Sequence, residues 1–141
     1  MSFIQENLYK KIIKNVPILC VDLIIKYHDQ YLLVQRKESP LKGEWWVPGG
    51  RVQIGETLEA AAKRKLTEEL DLVFNDRFEL IGFYEDIFNE SSLGPHVYQT
   101  LSVVFQVHLK ELPSITIDIT SSDWGFKDQL PERFLEKLAK L

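Results

Sequence analysis

The segment from Gly50 to Leu72, GRVQIGETLEAAAKRKLTEELDL, constrains the fold of this chain more than any other stretch. It follows a Pro48-Gly49-Gly50 turn and predicts a helix that is capped by Thr57 and ends near Leu70. One side of that helix is apolar at helical spacing and predicts a face buried against a sheet: Leu58, Ala61, Ala62, Leu66 and Leu70.

The rest of the chain predicts strands around this helix. An amphipathic helix is predicted over Gln5–Val16, closed by Pro17. Predicted strands are Ile18–Tyr27, Tyr31–Gln35, Trp45–Val47, Glu79–Asp86, Val97–Leu109, Ile115–Ile119 and Trp124–Phe126. A loop is predicted over Ile87–His96, and a terminal helix over Pro131–Lys140. Such a pattern favours a sheet covered on both sides.

Composition limits what the chain can bind. Its 141 residues are enough for one domain, predicted over 1–141. A net charge of −4 gives no basic field for nucleic acid, and no apolar run is long enough for a membrane partner. The only cysteine, Cys20, and a polar N-terminus predict a reducing, cytoplasmic compartment.

The polar side of the central helix carries two adjacent carboxylates. Lys65, Glu68 and Glu69 share one face because residues three and four apart are neighbours on a helix. Carboxylates beside backbone carbonyls suit a hard cation such as Mg²⁺, and Arg51 nearby suits a phosphate ester. The alternative is two surface ion pairs, Lys65–Glu69 and Arg64–Glu68, worth only about 0.3–0.5 kcal/mol each.

The same segment resembles the signature of Nudix hydrolases, Gly-x5-Glu-x7-Arg-Glu-U-x-Glu-Glu-x-Gly-U, where U is a bulky aliphatic residue. The matching residues are Gly50, Glu56, Arg64, Leu66, Glu68, Glu69 and Leu72. Lys65 replaces the first glutamate of the cluster, and Asp71 replaces the glycine.

The resemblance implies an α+β Nudix fold, with a mixed β-sheet in an α/β/α sandwich. It implies a Mg²⁺ cofactor held by Glu69, Glu68 and the carbonyl of Gly49. It also implies an ion pair between Glu56 and Arg64 that braces the loop against the helix. The ammonium of Lys65 on the metal face favours a single metal or none.

Two further stretches, Leu33–Arg36 and Pro40–Gln53, resemble the GDP-mannose mannosyl hydrolase subgroup of this family. The resemblance implies a nucleotide-sugar substrate whose carbon 1 is attacked by water, so that a nucleoside diphosphate leaves. Arg36 and Arg51 are the implied catalytic and substrate-binding arginines, although Arg36 at a strand end also fits a solvated charge. Asp22, an acid in an apolar strand, needs a partner, which could be a sugar hydroxyl, an arginine of this chain or a second subunit. It is the third candidate substrate-binding residue. A homodimer paired through Ile4–Ile13 is the implied assembly.

The general base does not carry over from this subgroup. Thr120 and Ser121 stand where the subgroup has a Gln-His pair, and a hydroxyl does not hold a proton at neutral pH. Asp118, Asp123 and Glu85 are alternatives, and His96 lies in the predicted loop. Attack on phosphorus, as in a Nudix pyrophosphohydrolase, and ligand binding without turnover therefore remain open beside attack on carbon.

Overall fold

The computed structural model describes residues 4–70, 77–112 and 121–140, apart from the side chains of Glu69, Leu70, Ser121 and Ser122. The helices in these ranges are α1 (Glu6–Asn15), α2 (Leu58–Leu70) and α3 (Glu132–Lys137). The strands are β1 (Ile18–Tyr27), β2 (Gln30–Arg36), β3 (Trp45–Trp46), β4 (Gly49–Arg51), β5 (Glu79–Ser91), β6 (Gly94–Leu109), β7 (Ser121–Lys127) and β8 (Ala139–Lys140). The predicted strand Ile115–Ile119 lies outside the described residues.

The described strands pair into one mixed sheet. Their order is β3-β2-β1-β6-β5-β8, with β4 also paired to β1 and β7 also paired to β2. β1 runs parallel to β6, from Ile18 beside Thr100 to Tyr27 beside Leu109. The other described pairs are antiparallel. β1 is thus a central strand, and the predicted mixed sheet is confirmed.

Alternate residues of β1 face opposite sides of the sheet, because side chains on a strand alternate. Val21, Leu23 and Ile25 pack toward α2, where they join its buried face in one core cluster. Ile24 joins the opposite cluster, which contains Phe134 of α3. The sheet is covered on both sides, and the α/β/α sandwich is confirmed.

Two helix predictions are also confirmed. α1 occupies ten of the residues predicted for the first helix, and Val16 follows it in extended conformation before Pro17. The Thr57 hydroxyl accepts a hydrogen bond from the Ala60 amide at 3.1 Å, which is the expected cap of α2. Within the described ranges, no helix is long and apolar enough to cross a membrane.

The predicted loop over Ile87–His96 is wrong. β5 continues to Ser91 and β6 begins at Gly94, so a two-residue turn joins two long strands. The Ser91 hydroxyl closes this turn by accepting the Leu93 amide at 3.1 Å and contacting Nε2 of His96 at 2.7 Å. Polar residues that suggest a loop serve here to hold the tip of a hairpin.

The predicted terminal helix is too long. α3 ends at Lys137, and Ala139–Lys140 instead pairs with β5 opposite Gly82 and Phe83. A side chain at Gly82 would overlap the backbone carbonyl of Ala139. The glycine therefore allows the segment after α3 to approach the sheet as a strand.

We predict that Phe134→Ala lowers the free energy of unfolding by about 3–5 kcal/mol. The ring is fully buried and lies edge-on to both Trp46 and Tyr84, so its loss leaves a cavity under α3. Urea denaturation of both proteins measures the difference. The control is Leu135→Ala, half-exposed on the same helix, which should change stability by no more than about 0.5 kcal/mol. Equal effects of the two substitutions would contradict this packing of α3.

Candidate active site

The glycine turn lies directly on β1. β4 pairs with β1 so that Gly49 stands opposite Asp22 and Arg51 opposite Cys20. A side chain at position 49 would overlap the Asp22 carboxylate and the Val21 carbonyl. Only glycine allows this approach, which places a backbone turn and a buried acid side by side.

Asp22 is the buried acid, only 6% exposed. The Tyr84 hydroxyl donates a hydrogen bond to its Oδ2, and the Trp46 indole donates to the Tyr84 oxygen at 3.0 Å. Burial raises the pKa of Asp22 to about 7, although the Tyr84 hydrogen bond and the charge of Arg36 oppose the shift. The Tyr84 pKa is also raised, by burial and by the charge of Asp22, so Tyr84 stays a proton donor. Asp22 is thus poised between its two protonation states near neutral pH.

An ion pair braces the loop before α2. The Arg64 guanidinium donates from Nε to Glu56 Oε2 at 2.7 Å and from Nη2 to Glu56 Oε1 at 2.9 Å. Nη2 also reaches the carbonyl of Arg51 at 3.0 Å. These hydrogen bonds from Arg64 are the largest cause of the lowered pKa of Glu56. The predicted Glu56–Arg64 pair is confirmed, and it ties α2 to the strand that carries Arg51.

The expected metal face of α2 is occupied by two cations. Lys65 is only 4% exposed, and a Cβ on Gly50 would lie 3.0 Å from its Cδ and Cε. Its Nζ is 3.2 Å from Glu68 Oε2, while Arg64 Nη1 is 3.2 Å from Glu68 Oε1. The Arg64–Glu68 pair expected as an alternative to metal binding is therefore present. The side chain of Glu69, the other predicted ligand, lies outside the described residues.

The residues near the glycine turn suit a cation that is bound partly by the protein and partly by the phosphates of a substrate. Among the described residues there is no group of three or more His, Cys, Asp or Glu side chains that could hold a metal. Mg²⁺ does not need one, because it is usually bound by one or two carboxylates together with substrate phosphates. Both contacts of Glu68, at 3.2 Å, are longer than the roughly 2.7–2.9 Å of a charged hydrogen bond, and an incoming dication would compete with Lys65 and Arg64 for this carboxylate.

A cleft of about 480 Å³ brings most of the predicted site together. Asp22, Arg36, Gly49 and Arg51 all line it. Glu68 does not line the cleft. It pairs with Lys65 and Arg64, and both of these residues line the cleft. Glu68, one of the two carboxylates that the signature offers for the metal, thus lies behind the cleft wall.

The two predicted arginines are both held in place. Arg36 donates from Nε to the carbonyl of Pro40 at 2.7 Å, so it is an ordered part of the cleft. The Arg51 guanidinium lies 5.7 Å from the ring centre of Tyr9, which α1 contributes. α1 therefore helps to build the wall at Arg51.

Sequence reasoning missed three residues of this cleft: Tyr84, Asp86 and Arg133. Tyr84 and Asp86 alternate with exposed residues along β5, and this period of two was a signal that both face inward. Asp86 is 6% exposed and accepts Lys137 Nζ at 2.7 Å and Arg133 Nη1 at 3.4 Å. Arg133 and Lys137 come from α3, and no local pattern connects them to β5.

The alternative catalytic groups lie elsewhere. Glu85 and Asp123 are exposed and do not line the cleft. Asp118 and Thr120 lie outside the described residues, as does the side chain of Ser121. The His96 ring is held by Ser91 and by the carbonyl of Val97 at 2.8 Å. Among the described residues, Asp22 is thus the acid in the cleft with a pKa near neutrality.

Cys20 lines the cleft as well, half-buried. Burial raises the pKa of its thiol to about 12, helped by the nearby charge of Asp22 and opposed by Arg51. The thiolate, which is the nucleophilic form, is therefore scarce at neutral pH. Cys20 serves as a small wall residue.

Two archaeal proteins are among those similar to this chain in sequence. Low-salt glycan biosynthesis protein Agl8 of Haloferax volcanii is 35% identical over 111 residues, which are 77% of this chain and 69% of Agl8. The ADP-ribose pyrophosphatase of Methanocaldococcus jannaschii is 41% identical over 68 residues, which are 48% of this chain and 40% of that enzyme.

A solved structure is similar over most of the chain. The MutT NUDIX hydrolase of Burkholderia pseudomallei superposes with a TM-score of 0.68 at 25% identity, over 84% of this chain and 89% of that one. The NUDIX domain of Shewanella oneidensis NrtR, solved with ADP ribose, gives 0.59 at 23% identity, over 96% of this chain and 89% of that one, and shares the fold. A sequence model of the NUDIX domain matches residues 17–124. That match runs from β1 into the first half of β7 and includes the braced loop and α2, and the chain belongs to the Nudix hydrolase family.

Proposed function

We propose that this protein hydrolyses a nucleoside diphosphate sugar, GDP-mannose or a relative, and releases the sugar and the nucleoside diphosphate. The observation that carries the proposal is the single cleft lined by Asp22, Arg36, Gly49 and Arg51. It offers cationic groups for a diphosphate and a buried acid for sugar hydroxyls. The similarity to Agl8, a glycan biosynthesis protein, supports a sugar-linked substrate.

The two arginines are proposed to bind the diphosphate. Negative charge grows on this group as the bond to the sugar breaks, and fixed cations lower the barrier most where charge develops. Arg51 is anchored on β4 and Arg36 by the Pro40 carbonyl, so neither needs to be ordered during the reaction. Preorganised charge of this kind is the main contribution that we assign to the pair.

Nudix enzymes use divalent metals such as Mg²⁺, and we assign the ligands here to Glu69, Glu68 and the Gly49 carbonyl. When bound, the ion would supply further positive charge to the leaving diphosphate. The buried ammonium of Lys65 already lies beside Gly50 and Glu68. Its charge opposes a second cation there, so the proposed site takes one ion.

Asp22 is proposed to bind the sugar. Its carboxylate lies against the glycine turn and accepts the Tyr84 hydroxyl, so a hydroxyl donor from the substrate would reach it beside the diphosphate-binding turn. Its pKa of about 7 also suits proton exchange at neutral pH. We therefore place carbon 1 of the sugar on the Asp22 side of the cleft.

Attack on phosphorus is a second candidate. It is favoured by the similarity to the Methanocaldococcus jannaschii ADP-ribose pyrophosphatase, which this chain matches over 40% of that enzyme's length. The same arginines and metal would then stabilise charge on the phosphoryl group. A third candidate, a binding module without turnover, is favoured by the ammonium of Lys65 on the metal face.

We also propose a homodimer that pairs through the N-terminal segment. Leu8 of α1 is 53% exposed, and Val16 just after it is 51% exposed. Leu19 at the start of β1 is 41% exposed. Exposed apolar side chains in this segment suit a contact with a second copy.

We expect the purified protein with Mg²⁺ to release free sugar from at least one member of a panel of GDP-, UDP- and ADP-sugars. Chelation of the metal should abolish release, and Glu69→Gln should reduce it strongly. Reaction in ¹⁸O water separates the two chemistries, because label enters the sugar after attack on carbon and the phosphate after attack on phosphorus. If no substrate of the panel gives any product, both hydrolytic candidates are excluded and only the third candidate, a binding module without turnover, is retained.

We predict that Arg51→Lys lowers kcat/KM for that substrate by about 100-fold, since a compact ammonium does not reproduce the two-pronged contact of a guanidinium. Steady-state kinetics measures the effect. The control is Arg77→Lys, an exposed arginine that does not line the cleft. A change below about threefold in the Arg51 variant would remove Arg51 from the proposed role.

We predict that the stability of the wild type falls relative to Asp22→Asn as the pH rises from about 4 to about 7. The folded pKa of about 7 lies above the unfolded value of about 3.9, so the folded state holds the proton more tightly and loses this stabilisation as Asp22 ionises. The slope should not exceed about 1.4 kcal/mol per pH unit. Urea unfolding of both proteins across this range measures it, and a constant or rising difference would refute it.

We predict that light scattering at tens of micromolar protein gives the mass of a dimer. Leu8→Asp should give a monomer, because it places a charge in the proposed contact. Asn7→Asp, on the same helix and also exposed, adds the same charge at a polar position and should stay dimeric. A monomeric wild type would exclude this assembly.

A further inference from the structure

Arg133 lies on the cleft wall, although it is outside the residues 17–124 that the family model matches. α3 places its guanidinium over the ring of Trp46, with Cζ 4.4 Å from the ring centre. Nη1 is 3.4 Å from Asp86 Oδ1. Nε and Nη2 are buried and, within the described part of the chain, have no hydrogen-bond partner.

These two nitrogens form one edge of the guanidinium. Their N–H bonds point in the same direction, and this edge is the one that binds two neighbouring acceptor oxygens at once. A buried N–H without an acceptor is costly, so such groups in proteins are nearly always paired. The unpaired edge therefore points to a ligand that supplies two oxygens.

A series of contacts connects Arg133 to the proposed sugar site. The carboxylate of Asp22 accepts from Tyr84, Tyr84 accepts from Trp46, and Trp46 stacks on Arg133. Asp86 completes this wall and lies close enough to Asp22 for its charge to raise the Asp22 pKa. The wall thus contains both acceptors, Asp22 and Asp86, and a donor, Arg133.

A wall of this kind suits hydroxyls better than phosphates. A hydroxyl both donates and accepts, so neighbouring sugar hydroxyls can donate to a carboxylate and accept from the guanidinium. A diphosphate only accepts, and Asp86 beside Arg133 would repel its charge. Arg36 and Arg51 do not share this drawback, because neither forms an ion pair with an acid in the described structure.

We infer that Arg133 donates from Nε and Nη2 to two neighbouring oxygens of the sugar and so determines which sugar is accepted. The oxygens belong either to adjacent hydroxyls or to a carboxylate on the sugar. This inference rests on the proposed function, because it requires a nucleotide sugar in the cleft.

The test compares wild type with Arg133→Lys, which keeps the charge and loses the two-pronged edge. Calorimetry with the metal chelated, so that no hydrolysis occurs, measures the Kd of a nucleotide sugar that the wild type hydrolyses with Mg²⁺ and of the matching nucleoside diphosphate. We expect the variant to bind the nucleotide sugar about tenfold more weakly or worse, and the nucleoside diphosphate within about twofold of wild type. Unchanged nucleoside diphosphate binding also reports that the variant is folded.

A second comparison distinguishes whether the two sugar oxygens belong to adjacent hydroxyls or to a carboxylate. The same pair of proteins is titrated with a nucleotide hexose and with its hexuronate, which differ only at carbon 6. A larger loss with the hexuronate identifies a carboxylate, whereas an equal or larger loss with the hexose identifies hydroxyls. Arg77→Lys is the matched control, and it should change neither affinity.

Two outcomes would overturn the inference. In one, Arg133→Lys leaves nucleotide-sugar affinity unchanged; in the other, it weakens nucleoside diphosphate binding equally, which places Arg133 on the diphosphate. In both cases wild-type hydrolysis of the nucleotide sugar continues, so the proposed function survives. A wild type that neither binds nor hydrolyses any nucleotide sugar would overturn both.

Discussion

The close approach of Gly49 to Asp22 is the constraint on which the site depends. β4 can pair with β1 only because position 49 has no side chain, and this pairing sets a backbone turn beside a buried acid. The Glu56–Arg64 pair then fixes α2 against the same strand through the Arg51 carbonyl. One glycine and one ion pair therefore determine where the turn, the helix and the arginine lie relative to one another.

The central part of the fold follows from local sequence because its signals are short in range. The run of Val, Ile and Leu in β1, the Thr57 cap and the apolar face of α2 each specify their own element. The errors arose where tertiary contacts override local preference. Polar residues near Ser91 close a hairpin, and Ala139–Lys140 becomes a strand because Gly82 leaves room for it.

The residues of the cleft also differ in whether local sequence could predict them. Arg36, Gly49, Arg51 and Asp22 could be located from sequence because they lie in or beside a recognisable motif, and the structure brings them into one cleft. Tyr84, Asp86 and Arg133 could not, since their roles depend on contacts across long separations in the chain. For Glu68, the position on α2 and the pair with Arg64 were predicted from sequence. Its second pair, with Lys65, was not.

The short strand β8 has a consequence for how such a protein can diversify. It ties α3 to the sheet through Gly82 and Phe83, remote in sequence from the loop–helix that we propose binds the diphosphate. Changes in the last segment can therefore alter one end of the cleft without disturbing the glycine turn or α2. Under the proposed function, recognition of the sugar is therefore separable from binding of the diphosphate, and the two can evolve as independent modules on a shared sheet.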